Sequence, residues 1–252
     1  MFDLVKEIYY VSWSDIRFMR HNILNVVLSS LVSPLLYLAA FGLGLGDTTI
    51  STAHGDIPYI AFMIPGIISL SSLSSSFSST ATRLNVQKLY YRSFDEMLMC
   101  PLRYSSIIMG KSILGVIRGL MSCTVIFILG LACTPEMIFT PMLLAVILLS
   151  CFTYSNLGVT AALLAKSHQS MALFNTLVIT PMTFLCGTFF SFTAVPTFVK
   201  WILYCIPLTH TSECVRASAL GWDFPWGSMA VLIAFAMVFF IYNVWLLKAR
   251  KV

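Results

Sequence analysis

One stretch of the chain decides the fold: residues 181–221, which read PMTFLCGTFFSFTAVPTFVKWILYCIPLTHTSECVRASALG. Pro196 and Pro207 divide its second half into two apolar segments of about a dozen residues each. A helix needs about 20 residues to cross the ~30 Å hydrocarbon core, so neither segment can cross a bilayer. Residues 191–221 are therefore predicted to form a re-entrant helical hairpin. Irregular backbone at membrane depth has to be buried in protein or hydrated by a cavity, so we expect this hairpin to border a pathway.

The composition of the whole chain agrees with a membrane location. Of its 252 residues, 58% are hydrophobic and 10% are charged, and the mean hydropathy is +0.89. These values are typical of polytopic membrane proteins and exclude an ordinary soluble domain. Six stretches are long enough to span a bilayer: Asn22 to Leu45, Ile57 to Thr80, Ser106 to Leu131, Met137 to Ala165, Met171 to Phe190, and Ser228 to Leu247. The sequence predicts a single all-α membrane domain over residues 1–252, with six transmembrane helices in residues 22–247 and the hairpin between helices five and six.

The basic residues predict the orientation of this domain. Twelve Lys and Arg residues fall on the side of the two termini, whereas the opposite loops hold only Lys200 and Arg216. Because cytoplasmic loops carry an excess of Lys and Arg, both termini are predicted to be cytoplasmic. The formal net charge of +5 then serves orientation and contact with anionic membrane lipids rather than nucleic-acid binding.

Residues 1–21 precede the first span and have the pattern of an amphipathic helix. Its apolar residues recur at helical spacing: Val5, Ile8, Tyr9, Trp13 and Ile16. Such a helix is predicted to lie on the cytoplasmic interface, either as a plain anchor or as a docking element. The first apolar run is too long for a signal peptide, so we expect the first span to be retained.

Several catalytic signatures are incomplete in this chain. The GxGD pattern at Gly44 to Asp47 lacks the second intramembrane carboxylate that an aspartyl protease needs. The Gly110-Lys111-Ser112 triplet lacks the first glycine of a phosphate-binding loop and no strand precedes it. The four histidines have no zinc-ligand spacing, and no serine lies in a nucleophile motif. We therefore expect a protein that is not an enzyme, with no metal site and no cofactor bound by this chain.

Three features allow two interpretations each. The hydroxyl run from Ser69 to Thr82 fits either close helix packing or a polar path for a substrate. The Arg118 side chain, inside span three, either snorkels to the headgroups or contacts a partner or substrate. Cys205 and Cys214 both fall on the outer side, but sequence spacing cannot decide whether they form a disulfide.

The longest and most charged cytoplasmic loop is predicted between Arg83 and Lys111. Within it, a short helix is expected to stop before Pro101, because the residue before a proline disfavours helical backbone. This short helix is either an inert connector or an element on which a soluble partner acts.

Four places in the sequence carry a family resemblance. They are Ser33 to Gly46, Tyr59 to Gly66, Glu96 to Leu102, and Pro181 to His210. Together they resemble the membrane subunits of type-2 ABC exporters over essentially the whole chain. The similarity is greatest to permeases that export nodulation-type lipo-oligosaccharides, and next to those that export antibiotics. Ser191 and Ile206 depart from residues common in that family.

The resemblance implies a dimer of this six-span subunit in a prokaryotic cell membrane, with two separate ATPase subunits that bind ATP and Mg on the cytoplasmic face. It also assigns roles to individual residues. Contacts with the ATPase are expected from Arg92, Glu96, Pro101, Leu102 and Arg103. The outer gate is expected to include Gly187, Phe189, Phe190, Pro207 and His210. The residues themselves, rather than the resemblance, give a candidate substrate path of Tyr37, Phe41, Phe184 and Arg118, in which the aromatic residues are alternatively interface or packing groups.

The expected function is therefore that of the membrane-spanning permease of an ATP-driven exporter, which moves an amphiphilic substrate such as a lipo-oligosaccharide, a glycolipid or a drug-like molecule outward. The alternative is a stand-alone ion-coupled carrier or channel. Carriers usually contain several intramembrane ionisable residues and internal repeats, whereas here Arg118 is the one such residue and no repeat is visible. The sequence leaves open the identity of the substrate and whether the dimer pairs two identical chains.

Overall fold

The computed structural model describes residues 2–24, 28, 32, 34–37, 39–40, 49–52, 55–134, 137–185, 201 and 203–249. Within them, four helices are long and apolar enough to cross a membrane: Tyr59–Leu89, Tyr104–Leu131, Pro141–Leu164 and Trp226–Ala249. They correspond to predicted spans two, three, four and six, which confirms a helical membrane protein. The first predicted span, Asn22 to Leu45, falls largely outside the described residues.

The elements follow one another in this order: α1 (Phe2–His21), β1 (Thr49–Thr52), β2 (Gly55–Pro58), α2 (Tyr59–Leu89), α3 (Ser93–Met99), α4 (Tyr104–Cys133), α5 (Pro141–Leu164), α6 (His168–Phe174), a π-helical segment (Asn175–Ile179), α7 (Thr180–Leu185), α8 (Pro207–Leu220) and α9 (Trp226–Ala249). The two strands pair antiparallel, with Thr49 opposite Pro58 and Thr52 opposite Gly55. This short hairpin was not predicted, although the residues Thr-Ile-Ser-Thr favour a strand and Gly55 follows three positions later.

Helix α2 lies at the centre of the bundle. Its apolar window is 89% buried within the protein, compared with 67% for α5, 39% for α4 and 22% for α9. Along its length α2 packs against α4, α5 and α8. Helix α9 is hydrophobic on all sides and largely exposed, so its outer face is suited to contact lipid.

Small residues allow α2, α4 and α5 to approach closely. Gly115 and Gly119 of α4 form a GxxxG motif, and a Cβ atom at Gly119 would overlap Ser76 of α2 and approach Cys151 of α5 to 2.7 Å. Close contact through small residues is the usual basis of helix association in membranes, where burial of apolar surface gives no driving force. The backbones of the three central helices therefore come together at this motif.

The loop that was predicted to be cytoplasmic is shorter than expected. Helix α2 continues nine residues beyond the predicted end at Thr80, to Leu89, and α4 begins at Tyr104. Arg83 and Lys111, which were predicted to bound the loop, therefore lie inside helices. Hydropathy ended α2 too early because it does not register that Asp15 compensates the charge of Arg83.

Candidate coupling surface and transport cavities

The short helix α3 forms an exposed ledge between α2 and α4. Phe94 anchors it, being 1% exposed and packed in a cluster that includes Leu84, Ile107 and Leu163. The backbone at Arg92 begins the helix in a left-handed conformation, with φ of 55°. Cys100 is extended, with φ of −72° and ψ of 150°, as expected for the residue before a proline. The predicted short helix that stops before Pro101 is therefore present.

The residues predicted to contact an ATPase lie on this ledge. Arg92, Glu96, Pro101 and Arg103 are exposed, and Leu102 is half-buried. Apolar side chains are exposed beside them, with Tyr90 and Met99 exposed by 76% and 83%. An exposed surface that combines charged and large apolar side chains is typical of a protein interaction site.

Helix α1 packs on α4 beside this ledge, through a face that differs from its predicted apolar stripe. Val11 and Met19 are buried, whereas Val5 and Trp13 of the predicted stripe are 62% and 49% exposed. Gly110 of α4 leaves room for the contact, since a Cβ atom there would approach Val11 Cγ1 to 2.6 Å. The helix therefore presents one face to the protein and an aromatic face outward, where it is suited to an interfacial location.

A hydrogen bond also ties α1 to the start of α4. The hydroxyl of Ser106 donates to Glu7 Oε2 at 2.6 Å, and the Arg103 backbone N–H donates to the same oxygen at 3.4 Å. The hydrogen bond from Ser106 lowers the pKa of the Glu7 carboxyl, since it stabilises the charged form. This contact joins α1 to one of the predicted coupling residues.

A buried charge network joins α1 to both α2 and α4. Lys111 Nζ donates to Asp15 Oδ2 at 2.8 Å and to Gln87 Oε1 at 2.7 Å. Asp15 Oδ1 also accepts hydrogen bonds from Arg83 Nε at 3.0 Å and Gln87 Nε2 at 2.8 Å. Asp15 and Lys111 are 1% and 3% exposed. Charges at this depth persist only when they are paired and hydrogen-bonded, so the network fixes how α1 sits against the bundle.

Lys88 of α2 caps the end of α5. Its Nζ atom donates to the carbonyl oxygens of Ala162 at 3.0 Å, Leu163 at 2.9 Å and Ala165 at 2.6 Å. These carbonyls belong to the last turn of α5, which lacks intrahelical donors. A cation at a helix C-terminus also interacts favourably with the helix dipole. The C-terminal ends of α2 and α5 are therefore joined by one side chain.

Two of the predicted substrate-path residues line one open cavity of about 160 Å³. We call it the Tyr37 cavity. Its walls combine apolar and aromatic groups with hydroxyl groups, and include Tyr37, Ile67, Leu70, Ser71, Ser74, Thr183 and Phe184. Phe41 lies outside the described residues, and Arg118 is a half-buried residue of α4 that does not line this cavity.

A second cavity, of about 270 Å³, lies between α2 and the helix that starts at His168. We call it the Asn85 cavity. Its polar lining residues are Ser78, Thr82, Asn85, His168 and Asn175. Asn85 Nδ2 and His168 Nδ1 are 3.2 Å apart, within hydrogen-bond distance. Sequence reasoning did not single out these residues except as part of the hydroxyl run.

The hydroxyl run of α2 divides between two faces. Ser69 and Ser79 donate to backbone carbonyls one turn back, at 3.0 and 2.7 Å, and Thr80 Oγ1 lies 2.8 Å from Ser155 Oγ of α5. On the other face, side chains at helical spacing line the two cavities in turn: Ser71, Ser74, Ser78, Thr82 and Asn85. We call this second face the polar stripe. Packing and a polar lining are therefore both present, on different sides of one helix.

Helix α8 is the main described part of the predicted hairpin, of which residues 201 and 203–206 are also described. It has 14 residues, about 21 Å at 1.5 Å per residue, which is too short to cross a bilayer. Leu208 packs with Phe77 in the middle of α2, whereas Ala219 packs with Tyr59 at the start of α2. Helix α8 therefore extends from the first turn of α2 to its middle.

The predicted gate residues are only partly described. Pro207 is the buried first residue of α8. His210 is buried, with Nε2 2.9 Å from the Tyr204 carbonyl oxygen and Nδ1 3.2 Å from Ser228 Oγ. Gly187, Phe189 and Phe190 lie outside the described residues. Cys205 is exposed and Cys214 is buried, and both are free thiols.

The charge network was missed in the sequence, although a signal for it exists. Asp15 shares one helical face with Val11 and Met19, so an acidic side chain interrupts an otherwise apolar stripe. Lys111 likewise lies between apolar residues, Ile108 and Leu114. An acid and a base, each placed on a face that is expected to be buried, are best satisfied by pairing with each other.

Comparison with known proteins identifies the family. The ABC-2 type transporter family matches residues 6–220. The chain is 28% identical over 232 residues to Nodulation protein J of Sinorhizobium fredii, covering 89% of this chain and 86% of that protein. It is also 28% identical over 228 residues to the inner membrane transport permease YadH of Escherichia coli K12, covering 88% of each. Because the family match extends over most of the chain, the protein belongs to the ABC-2 type transporter family and is the membrane permease of an ABC transporter, not itself an enzyme.

Proposed function

We propose that this permease moves an amphiphilic molecule outward across the inner membrane of a prokaryotic cell. The observation that carries the proposal is the polar stripe of α2, whose residues line first the Tyr37 cavity and then the Asn85 cavity. A largely apolar cavity with aromatic walls suits an acyl or aromatic group. A neighbouring cavity lined by hydroxyls and amides suits a polar group on the same molecule. An oligosaccharide lipid, a glycolipid or an amphiphilic drug has this combination.

We propose that energy enters through the ledge formed by α3. In this proposal Arg92, Glu96, Pro101, Leu102 and Arg103 contact a separate ATPase subunit, which binds the ATP and Mg. Movement of the ATPase would displace α3, and the buried Phe94 anchor would pass that displacement to the bundle. A nucleotide can shift the balance between inward-open and outward-open states only if the two states bind the ATPase unequally.

The remaining architecture is proposed on the family resemblance and the fit of the described elements. It comprises six spans in residues 22–247, an interfacial helix in residues 1–21, a re-entrant outer hairpin in residues 191–221, and cytoplasmic termini. The position of α8 between the start and the middle of α2 supports the hairpin. The exposed apolar faces of α4 and α9 are available for lipid or for a second copy of the chain.

Reconstituted transport tests this proposal. Vesicles that contain the permease and its ATPase would be assayed for ATP-driven movement of glycolipids and amphiphilic drugs, together with ATP hydrolysis. We expect Glu96→Ala and Pro101→Ala each to lower transport about tenfold, the effect of losing about 1–2 kcal/mol at an interface. Asp223→Ala is the matched control, because Asp223 is an exposed acid in the turn that follows α8. The coupling assignment is wrong if both variants transport and stimulate the ATPase as the unmodified protein does.

A further inference from the structure

Asn85 lies at the base of the Asn85 cavity with an unsatisfied polar atom. The residue is 2% exposed, and its Oδ1 atom has no hydrogen-bond partner among the described residues. Buried polar atoms are rarely left without a partner in folded proteins. A ligand or water that reaches this atom from the cavity would therefore be bound favourably.

The lining of the cavity indicates the chemistry of a matching ligand. Thr82 and Asn175 are exposed to the cavity and offer a hydroxyl and an amide, and Ser78 and His168 add a second hydroxyl and an imidazole. The described residues that line it include no Asp, Glu, Lys or Arg. Amides and hydroxyls both donate and accept hydrogen bonds, as the hydroxyls of a polyol do. An ionic headgroup would find no countercharge among these lining residues.

The size and position of the cavity fit a head group attached to a chain. At about 30 Å³ per liquid water, 270 Å³ equals roughly nine waters, which is space for a group the size of one sugar ring. Ser74 of the Tyr37 cavity and Ser78 of the Asn85 cavity are one helical turn apart. An amphiphile with its chain in the first cavity can therefore place its head in the second.

The backbone is irregular at the same place. Asn175 begins the π-helical segment, and its carbonyl oxygen accepts the backbone N–H of Thr180, five residues later. π-helical turns are rare and frequently occur at functional sites. Here the turn follows the residues that line the Asn85 cavity and precedes Phe184, which lines the Tyr37 cavity.

We infer that the Asn85 cavity is a binding subsite for the uncharged, polyhydroxylated head group of the amphiphile, with Asn85, Thr82 and Asn175 as its hydrogen-bonding residues. The inference rests on the proposed function, since it specifies which part of a transported molecule binds there.

Binding to the permease alone tests the subsite. Purified permease in lipid nanodiscs would be titrated with radiolabelled octyl glucoside and, separately, octyl sulfate, below their micelle concentrations and with empty nanodiscs subtracted. We expect the glucoside to bind more tightly than the sulfate. Thr82→Val and Asn85→Leu should each weaken glucoside binding about fivefold, the effect of losing one hydrogen bond. Phe184→Ala should weaken both probes, because both share the octyl chain.

Thr124→Val is the matched control. Thr124 is an exposed threonine of α4 whose hydroxyl donates to the Leu120 carbonyl of its own helix, so glucoside binding should not change. Thr82 is exposed, which makes its variant informative even if Asn85→Leu destabilises the protein. Equal affinity for the two probes, or glucoside binding that neither variant weakens, would overturn the subsite. Glucoside binding that is lost in both variants, combined with failure of ATP-driven transport in vesicles, would retain the subsite and remove the exporter.

Discussion

Helices α2 and α9 make an instructive pair, because the more polar of the two is the more deeply buried. The apolar window of α2 has a mean hydropathy of 1.6 and is 89% buried, whereas that of α9 has a mean hydropathy of 2.4 and is 22% buried. In water the opposite ranking would be expected. In a bilayer the surroundings are as apolar as leucine, so serine and charged side chains gain by turning inward, where they find partners. The difference predicts that equivalent substitutions have unequal effects in the two helices.

The largest effect is expected at the C-terminal end of α2, where Arg83 and Gln87 bind Asp15. Asp15→Asn removes the charge that pairs with Lys111 and leaves that ammonium buried, so we expect the stability to fall by about 3–5 kcal/mol. Thermal unfolding in detergent measures the change. Asp223→Asn is the control, since its carboxylate is exposed. A loss below 1 kcal/mol for Asp15→Asn would show that the buried pair does not stabilise the contact between α1 and α4.

A smaller effect is expected from replacing one small side chain in each helix with leucine. Ser76 of α2 faces Gly119, so Ser76→Leu forces α2 and α4 apart and should cost about 1–3 kcal/mol. Ala234 of α9 is exposed, so Ala234→Leu should change stability little. The same unfolding measurement applies to both variants. Equal losses in the two helices would contradict the idea that α2 packs through small residues while α9 faces lipid.

The smallest effect is expected at Lys88 and Lys248, the lysines in the last turns of α2 and α9. Lys88 of α2 binds three carbonyl oxygens of the α5 terminus, so Lys88→Met should cost about 1–2 kcal/mol and increase fraying of α5. Lys248 of α9 is exposed, and Lys248→Met should have no measurable effect on stability. Hydrogen exchange of the last turn of α5 provides the local readout. Unchanged protection of the Leu163 and Leu164 amides in Lys88→Met would show that the cap is dispensable.

The sequence predicted the parts of the fold that depend on one segment at a time. Length and apolarity located the four described spans, and Pro101 located the end of α3. The charge network could not be read in the same way, because Asp15, Gln87 and Lys111 belong to three elements and each is satisfied only by the others. Hydropathy placed Arg83 and Gln87 beyond the end of the second span for this reason, and the predicted apolar stripe of α1 did not include Asp15, Val11 or Met19.

In the candidate site, too, single residues could be predicted, whereas a cavity formed by several elements could not. Tyr37 and Phe184 were chosen as isolated aromatic residues, and the structure places them on one cavity. The Asn85 cavity was not predicted, because His168 and Asn175 are unremarkable polar residues until α6 brings them opposite Thr82. The hydroxyl run was recognised, but only the three-dimensional structure distinguishes the residues that pack against α5 from those of the polar stripe.

The left-handed backbone at Arg92 also has a mechanical consequence. A residue with a side chain costs about 1–2 kcal/mol to hold in that conformation, a cost that glycine avoids. The bend between α2 and α3 is therefore stiffer than a glycine bend, since fewer neighbouring backbone conformations are accessible. Because Phe94 is also fixed in the bundle, α3 is rigidly connected to α2. A displacement of the exposed side of α3 would therefore move α2 as well, rather than being absorbed by rotation of the backbone at Arg92.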